Sequence, residues 1–261
     1  MLSPSSVTLS AGGTNSSTAT VTVGTVPVGN YTITVSGVGG VSLHMATIQL
    51  QVSNFRVTGS PFNVLIPRGG SGSETVTAIS LNGYSGTVTP VVTSGMPICV
   101  SFAFSPATIQ LPAHGSSSSS LKMNASLTCT ASSNLVVGQG NSGTSGYTFN
   151  FKLNVTDFSV ATSPTMLSIS RGNSGSSKVS LTSLNGFSGT VTLSATISPT
   201  VTHEPTMTLT PASITLASSG SGTSTLKMST ASNTTRGTYT VTITATSGAI
   251  MNTATVTVTV S

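Results

Sequence analysis

Cys99 and Cys129 are the only cysteines in a chain of 261 residues, and three acids and three histidines complete its stock of reactive side chains. A disulfide between the two cysteines would close a loop of about 30 residues and contribute about 3 kcal/mol on the chain-entropy estimate. It would suit an oxidising exterior. The other reading is two buried free thiols. His203 and Glu204 are adjacent, so on a strand they face opposite ways and make no acid–base pair. Glu74 falls at a strand start and is expected to be solvated. Asp157 falls between repeats, where a linker hydrogen bond is expected. His44 and His114 stand in turn-like contexts. Zinc needs three or four convergent ligands and calcium several oxygens including carboxylates; neither set assembles. Serine is abundant, yet no Gly-x-Ser-x-Gly elbow lies in a strand–helix context with His and Asp partners. The expectation is no catalytic residue, no metal site, no cofactor and no enzyme.

The elements that would carry these residues are written in the composition. Serine and threonine make up more than a third of the chain, and charged residues are only 4%. Val, Ile and Thr recur in short alternating runs, which a disordered chain lacks. No apolar run is long enough to span a bilayer, so no transmembrane segment is expected. No signal peptide is read at the start, because Met1-Leu2 runs at once into Ser-Pro-Ser-Ser. The eight basic residues (Arg56, Arg68, Lys122, Lys152, Arg171, Lys178, Lys227, Arg236) give a formal charge of +5. They are scattered, where a nucleic-acid binder clusters them, so no nucleic-acid partner is expected.

Self-similarity organises the chain. Ser80–Thr89 (SLNGYSGTVT) returns 103 residues later as Ser183–Thr192 (SLNGFSGTVT). Ser105–Leu111 (SPATIQL) returns as Thr210–Leu216 (TPASITL), and Leu121–Met123 as Leu226–Met228, both at an offset of 105. Two modules follow, 54–156 and 157–261. Residues 1–53 match only the second half of a module: Ser3–Leu9 matches Thr210–Leu216, and Gly29–Val35 matches Gly237–Ile243. Period-two alternation places strands in the third module near 158–160, 165–169, 176–183, 189–196, 206–209, 212–216, 223–230, 238–246 and 252–260. Tyr147, Phe149, Phe151, Leu153 and Val155 point to one side of a strand, with polar residues between them. Asn82-Gly83 and Asn185-Gly186 are tight-turn dipeptides. The fold class is all-β: tandem immunoglobulin-like β-sandwich modules.

The pattern SLNG(F/Y)SGTV, then SPA-x-I-x-L, then G-x-Y-T-V-T resembles the Ser/Thr-rich immunoglobulin-like repeats of archaeal and bacterial cell-surface and filament proteins. The resemblance covers nearly the whole chain. It implies an extracellular or cell-surface location and a role as stalk, filament subunit or adhesin spacer. Tyr31 and Tyr239 resemble a tyrosine corner, whose ring is buried and whose hydroxyl bonds to nearby backbone. The second module departs from the pattern with Asn134 at that position, which suggests an irregular penultimate strand.

Asn15, Asn30, Asn124, Asn154 and Asn233 each head an Asn-x-Ser/Thr sequence, so covalent glycans are expected partners, and they would help a surface poor in charge stay soluble. Half a module leaves an apolar face and strand edges open, and such edges recruit strands. A chain starting there is a fragment, a smaller sandwich, or a subunit completed by another copy. The last reading predicts a homopolymer: the subunit of an extracellular filament, pilus-like thread or surface layer. The run Ala254, Val256, Val258 and Val260, flush with the chain end, is then the strand expected at the subunit junction. The alternatives are a stalk or adhesin segment of a larger surface protein, or an accessory module of a secreted enzyme.

Overall fold

A computed structural model describes every residue from Met1 to Ser261. The chain is all β, with no helix. Its strands are β1 (Leu2–Ser3), β2 (Thr18–Ala19), β3 (Gly29–Gly39), β4 (Ser42–Val52), β5 (Asn54–Ser60), β6 (Asn63–Pro67) and β7 (Ser71–Leu81). There follow β8 (Gly86–Ser94), β9 (Val100–Ser105), β10 (Ile109–Leu111), β11 (Ser116–Ala125), β12 (Ser132–Ser142) and β13 (Ser145–Ser163). The third repeat adds β14 (Met166–Ile169), β15 (Ser174–Leu184), β16 (Gly189–Ser198), β17 (Thr206–Thr210), β18 (Ser213–Leu216), β19 (Ser221–Ser229), β20 (Gly237–Ser247) and β21 (Ile250–Val260). Each strand read there from alternation is present, most of them a residue or two longer.

Two compact units form. One takes in Met1–Arg56, Ile79–Gly86 and Leu111–Ser116; the other takes in Val57–Ala78, Thr87–Gln110 and Ser117–Ser261.

In the larger unit the third repeat shows the design most clearly. Strands β14-β21-β20-β16-β18 make one sheet, and β15, β19 and β17 follow β13 in the other. Between the sheets lie Phe158, Val179, Leu181, Val191, Leu226, Met228, Tyr239, Val241, Ile243, Val256 and Val258, all buried. Along β20 the buried positions alternate with threonines, which supply β-branched backbone preference without apolar surface. Burial of each such face contributes roughly 25 cal/mol per Å² of apolar area. β14 runs parallel to β21, pairing Leu167 with Val258 and Ile169 with Val260. β6 likewise runs parallel to β13. Strand β13 is 19 residues long and belongs to two repeats: Ser145–Ser142 through Val155–Ser132 pair it with β12, and Asp157–Ser163 pair it with β15. The irregularity expected around Asn134 is a register shift between β12 and β8 at Val137/Gly138. Toward β13 the same strand pairs without interruption.

The smaller unit contains two two-stranded sheets, β1-β2 and β3-β4. Their registers copy the third repeat. Leu2 faces Ala19 as Leu209 faces Leu226, and Tyr31 faces Leu50 as Tyr239 faces Val258. Asn82 and Gly83 both take positive φ, 50° and 76°, as do Asn185 and Gly186 at 51° and 88°. In the third repeat this turn carries the chain from one sheet to the other rather than closing a hairpin, since β15 and β16 lie in different sheets.

The Tyr239 hydroxyl donates to the Thr235 carbonyl at 2.7 Å, and the Tyr31 hydroxyl donates to the Pro27 carbonyl at 2.8 Å. Tyr239 is buried, whereas Tyr31 is half-buried. Tyr239→Phe removes the partner of a part-buried carbonyl and is expected to cost about 1 kcal/mol. Tyr31→Phe, where water replaces the hydroxyl, is expected to cost far less. Urea unfolding followed by circular dichroism compares the two.

Candidate functional site

The reactive side chains stay apart. No three of the His, Cys, Asp and Glu residues converge on a point. His44 lies exposed on β4 opposite Gly37. His114 and His203 take left-handed φ of 56° and 60°. The His114 amide donates to the Ser80 hydroxyl at 3.1 Å, which ties a turn, and Ser219 repeats the bond to Ser183 at 3.1 Å. Glu204 is half-buried, in the position that Cys99 holds one repeat earlier, and its Oε2 is unpartnered. Cys99 and Cys129 are bonded, with S–S 2.07 Å and Cα atoms 5.3 Å apart. The acceptors Asn15, Asn30, Asn124 and Asn233 are exposed; Asn154 is half-buried and takes a hydrogen bond from the Ser133 hydroxyl at 2.8 Å.

The strand expected at a subunit junction is largely taken up within its own repeat. Of Ala254, Val256, Val258 and Val260, the last two lie in a stretch paired on both edges. β21 pairs with β20 along its length, and Thr257–Val260 also pair with β14. Val256, Val258 and Val260 are buried. Their alternation fills the repeat's own core, and from Thr257 to Val260 the strand is paired on both edges.

Polar chemistry concentrates instead where repeats meet. Arg68, in the turn after β6, places Nε 3.3 Å from an Asp157 carboxylate oxygen. Its Nη2 donates to the Met251 carbonyl at 3.0 Å and to Asn252 Oδ1 at 2.9 Å. Asn252 in turn donates to Asp157 Oδ1 at 2.9 Å and to the Phe158 carbonyl at 2.6 Å. The linker hydrogen bond expected of Asp157 is one edge of this network, because the Phe158 amide donates to it at 2.7 Å. A planar guanidinium suits such a cluster, since it offers several fixed donors at once. These residues line a cleft of about 640 Å³ with Cys129 and Leu184. Neither Arg68 nor Asn252 stands out in the sequence. Comparing the two modules residue by residue, with attention to Arg68 and Arg171, carries the signal.

A second device reaches backwards. The Asn185 amide donates to the Val155 carbonyl at 3.5 Å. In the smaller unit Asn82 donates to the Val52 carbonyl at 2.9 Å and to Asn30 Oδ1 at 3.1 Å, and Gln51 donates to the Asn82 carbonyl at 2.8 Å. The Asn-Gly turns thus bond to the last strand of the preceding repeat.

Within the smaller unit, residues 1–53 leave apolar side chains in water. Leu9 is 64% exposed and Ile48 39%, whereas their third-repeat counterparts Leu216 and Val256 are at 1% and 0%. What covers those counterparts comes from β14, β15 and β16, which residues 1–53 lack.

Glu74 is buried, contrary to the solvated position expected of it, and both its carboxylate oxygens are unpartnered. Four other residues explain the place it occupies. The hydroxyls of Ser17, Ser119, Ser177 and Ser224 each donate to the carbonyl of a proline 13 residues earlier, at 2.5–2.8 Å. Glu74 stands 13 residues after Pro61, at the corresponding point. A Cβ on Gly59 would collide with its carboxylate; the third repeat has Thr162 at that point and the smaller Ser177 in place of the glutamate. Burial raises the Glu74 pKa from 4.5 to about 8.

No protein-family model matches the chain, and no curated protein matches it in sequence. Among solved structures, domains 4–9 of the surface layer protein SbsC align with 90% of the chain at 15% identity and a TM-score of 0.31. The chain spans about a third of that structure, 36% of its length. The C-terminal domain of the Streptococcus agalactiae AgI/II polypeptide BspA aligns with 78% of the chain and 99% of its own length, at 7% identity and a TM-score of 0.45. A three-domain immunoglobulin segment of titin aligns with 90% of the chain and 75% of its own length, at 9% identity and a TM-score of 0.37. Likeness this distant carries no argument about what the chain does.

The protonated Glu74 fixes a pH dependence. Below about pH 4.5 the folded and unfolded chains both hold the proton, and the fold keeps its full stability. As pH rises toward 8 only the unfolded chain ionises, and stability falls by about 1.4 kcal/mol per unit until the folded group ionises too. Glu74→Gln is expected to flatten this slope between pH 5 and 8, measured by urea midpoints at several pH values.

Proposed function

We propose that this protein is a structural subunit of an extracellular or cell-surface assembly, a filament, pilus-like thread or surface layer, and not an enzyme. The observation that carries the reading is the open face of residues 1–53. Its exposed Leu9, Val21 and Ile48 stand where the third repeat buries Leu216, Met228 and Val256 in the core around Tyr239. In the proposed assembly a neighbouring subunit covers this face. The third repeat gives the register: a strand parallel to Gln49–Val52, as β14 lies on β21, and a strand antiparallel to Thr32–Val38, as β16 lies on β20. Head-to-tail exchange of this kind does not close on itself and builds an open polymer. Glycans on the exposed asparagines keep the low-charge surface in solution.

A second reading is a spacer in a larger surface protein, as a stalk or adhesin segment or as an accessory module of a secreted enzyme. The Arg68–Asp157–Asn252 network favours it, because a fixed joint is what a spacer needs and a polymer contact does not require.

Electron microscopy of native material is expected to show ordered polymers, and monodisperse single chains would sink the first reading. Intact-mass measurement of the same material is expected to exceed the polypeptide mass by glycan on at least two of Asn15, Asn30, Asn124, Asn154 and Asn233. A bare polypeptide mass would remove the glycans from the proposal.

A further inference from the structure

One half of the joint between the second and third repeats is built a second time, at the far end of the third repeat. Arg68 is held by its backbone: its amide donates to the Thr156 carbonyl at 3.0 Å, and the next residue, Gly69, takes a φ of 75°. At the far end of the third repeat the Arg171 amide donates to the Ser261 carbonyl at 3.1 Å, and Gly172 takes a φ of 77°. Both arginines follow the strand that runs parallel to the last strand of its repeat, β6 on β13 and β14 on β21. The two differ in what they meet. Arg68 is enclosed by Asp157, Met251 and Asn252, and a Cβ on Gly69 would press on Leu127 and Ala249. Arg171 is exposed with its guanidinium unpaired, and a Cβ on Gly172 would meet nothing within 4 Å.

We infer that the Arg171 turn is a docking site for a repeat of this type that presents an aspartate as Asp157 does to Arg68. The place of that aspartate follows from the Arg68 joint, in which Asp157 comes directly after the residue whose carbonyl holds the turn. Charge complementarity selects the aspartate, the only anionic group in the Arg68 cluster. It also argues against the leading end of a second copy as the occupant. There, the positions of Met251 and Asn252 are held by Leu43 and His44, and residues 1–53 contain no acid at all. The inference rests on the reading of the chain as modules joined end to end. It adds the chemistry of the next module.

The test extends the full chain by a second copy of Asp157–Ser261 placed after Ser261, and follows trypsin cleavage after Arg171 under native conditions. Arg68 in the same molecule is the internal reference. Cleavage after Arg171 is expected to be rapid in the original chain and to slow at least tenfold in the extended one, approaching the rate at Arg68. Replacing the leading aspartate of the added copy by asparagine is expected to restore rapid cleavage. That residue is native at this place in the second repeat, as Asn54, so the added copy keeps its fold. Equal cleavage after Arg171 in the original and extended chains, with Arg68 protected, would overturn the inference and leave the modular reading standing. Rapid cleavage after Arg68 in the original chain would instead remove the fixed joint itself, and the inference with it.

Discussion

A strand that buries one face and wets the other is the constraint from which this molecule follows. Period-two alternation fixes which side chains enter the sandwich, and a slip of one residue would turn every one of them outward. The wet positions are mostly threonine and serine. They hold the backbone extended without adding charge, so the chain can carry only eleven charged residues, eight basic and three acidic, and still form two-faced sheets. With so few charges, the two buried acids each have a traceable role. Asp157 locks a joint with Arg68, and Glu74 fills the place of a serine.

The open face of residues 1–53 is the same constraint left unsatisfied. The strands there repeat the registers of the third repeat, so their pairing does not need the missing half. Burial does need it.

Much of the fold could be read directly. Alternation located the strands of the third repeat, and the Asn-Gly pairs marked turns whose positive φ values suit those residues. The tyrosine hydroxyls bond to backbone four residues earlier, as the resemblance implied. What escaped reading has a common cause: it depends on a partner in space. Alternation around Val258 and Val260 cannot say whether a strand's edge is free, and here β14 and β20 occupy both edges. The position of Glu74 near a strand start suggested solvent. Its burial shows only when it is compared with the serines that bond to a proline carbonyl, and when Gly59 is seen to make room for it. Arg68 looked like one of eight scattered basic residues, because the acid and amide that enclose it lie about ninety and one hundred and eighty positions away.

The parallel pairing of β6 with β13 and of β14 with β21 has a mechanical consequence. In each repeat an early strand and the closing strand lie side by side and point the same way, so the polypeptide enters at one end of the pair and leaves at the other. Tension drawn through the polypeptide then slides the two strands along each other. Their crosswise bonds share the load together, whereas those of a hairpin pulled from its open end break in succession. Because β13 passes without a break from the second repeat into the third, that pull reaches the next pair with no slack between them.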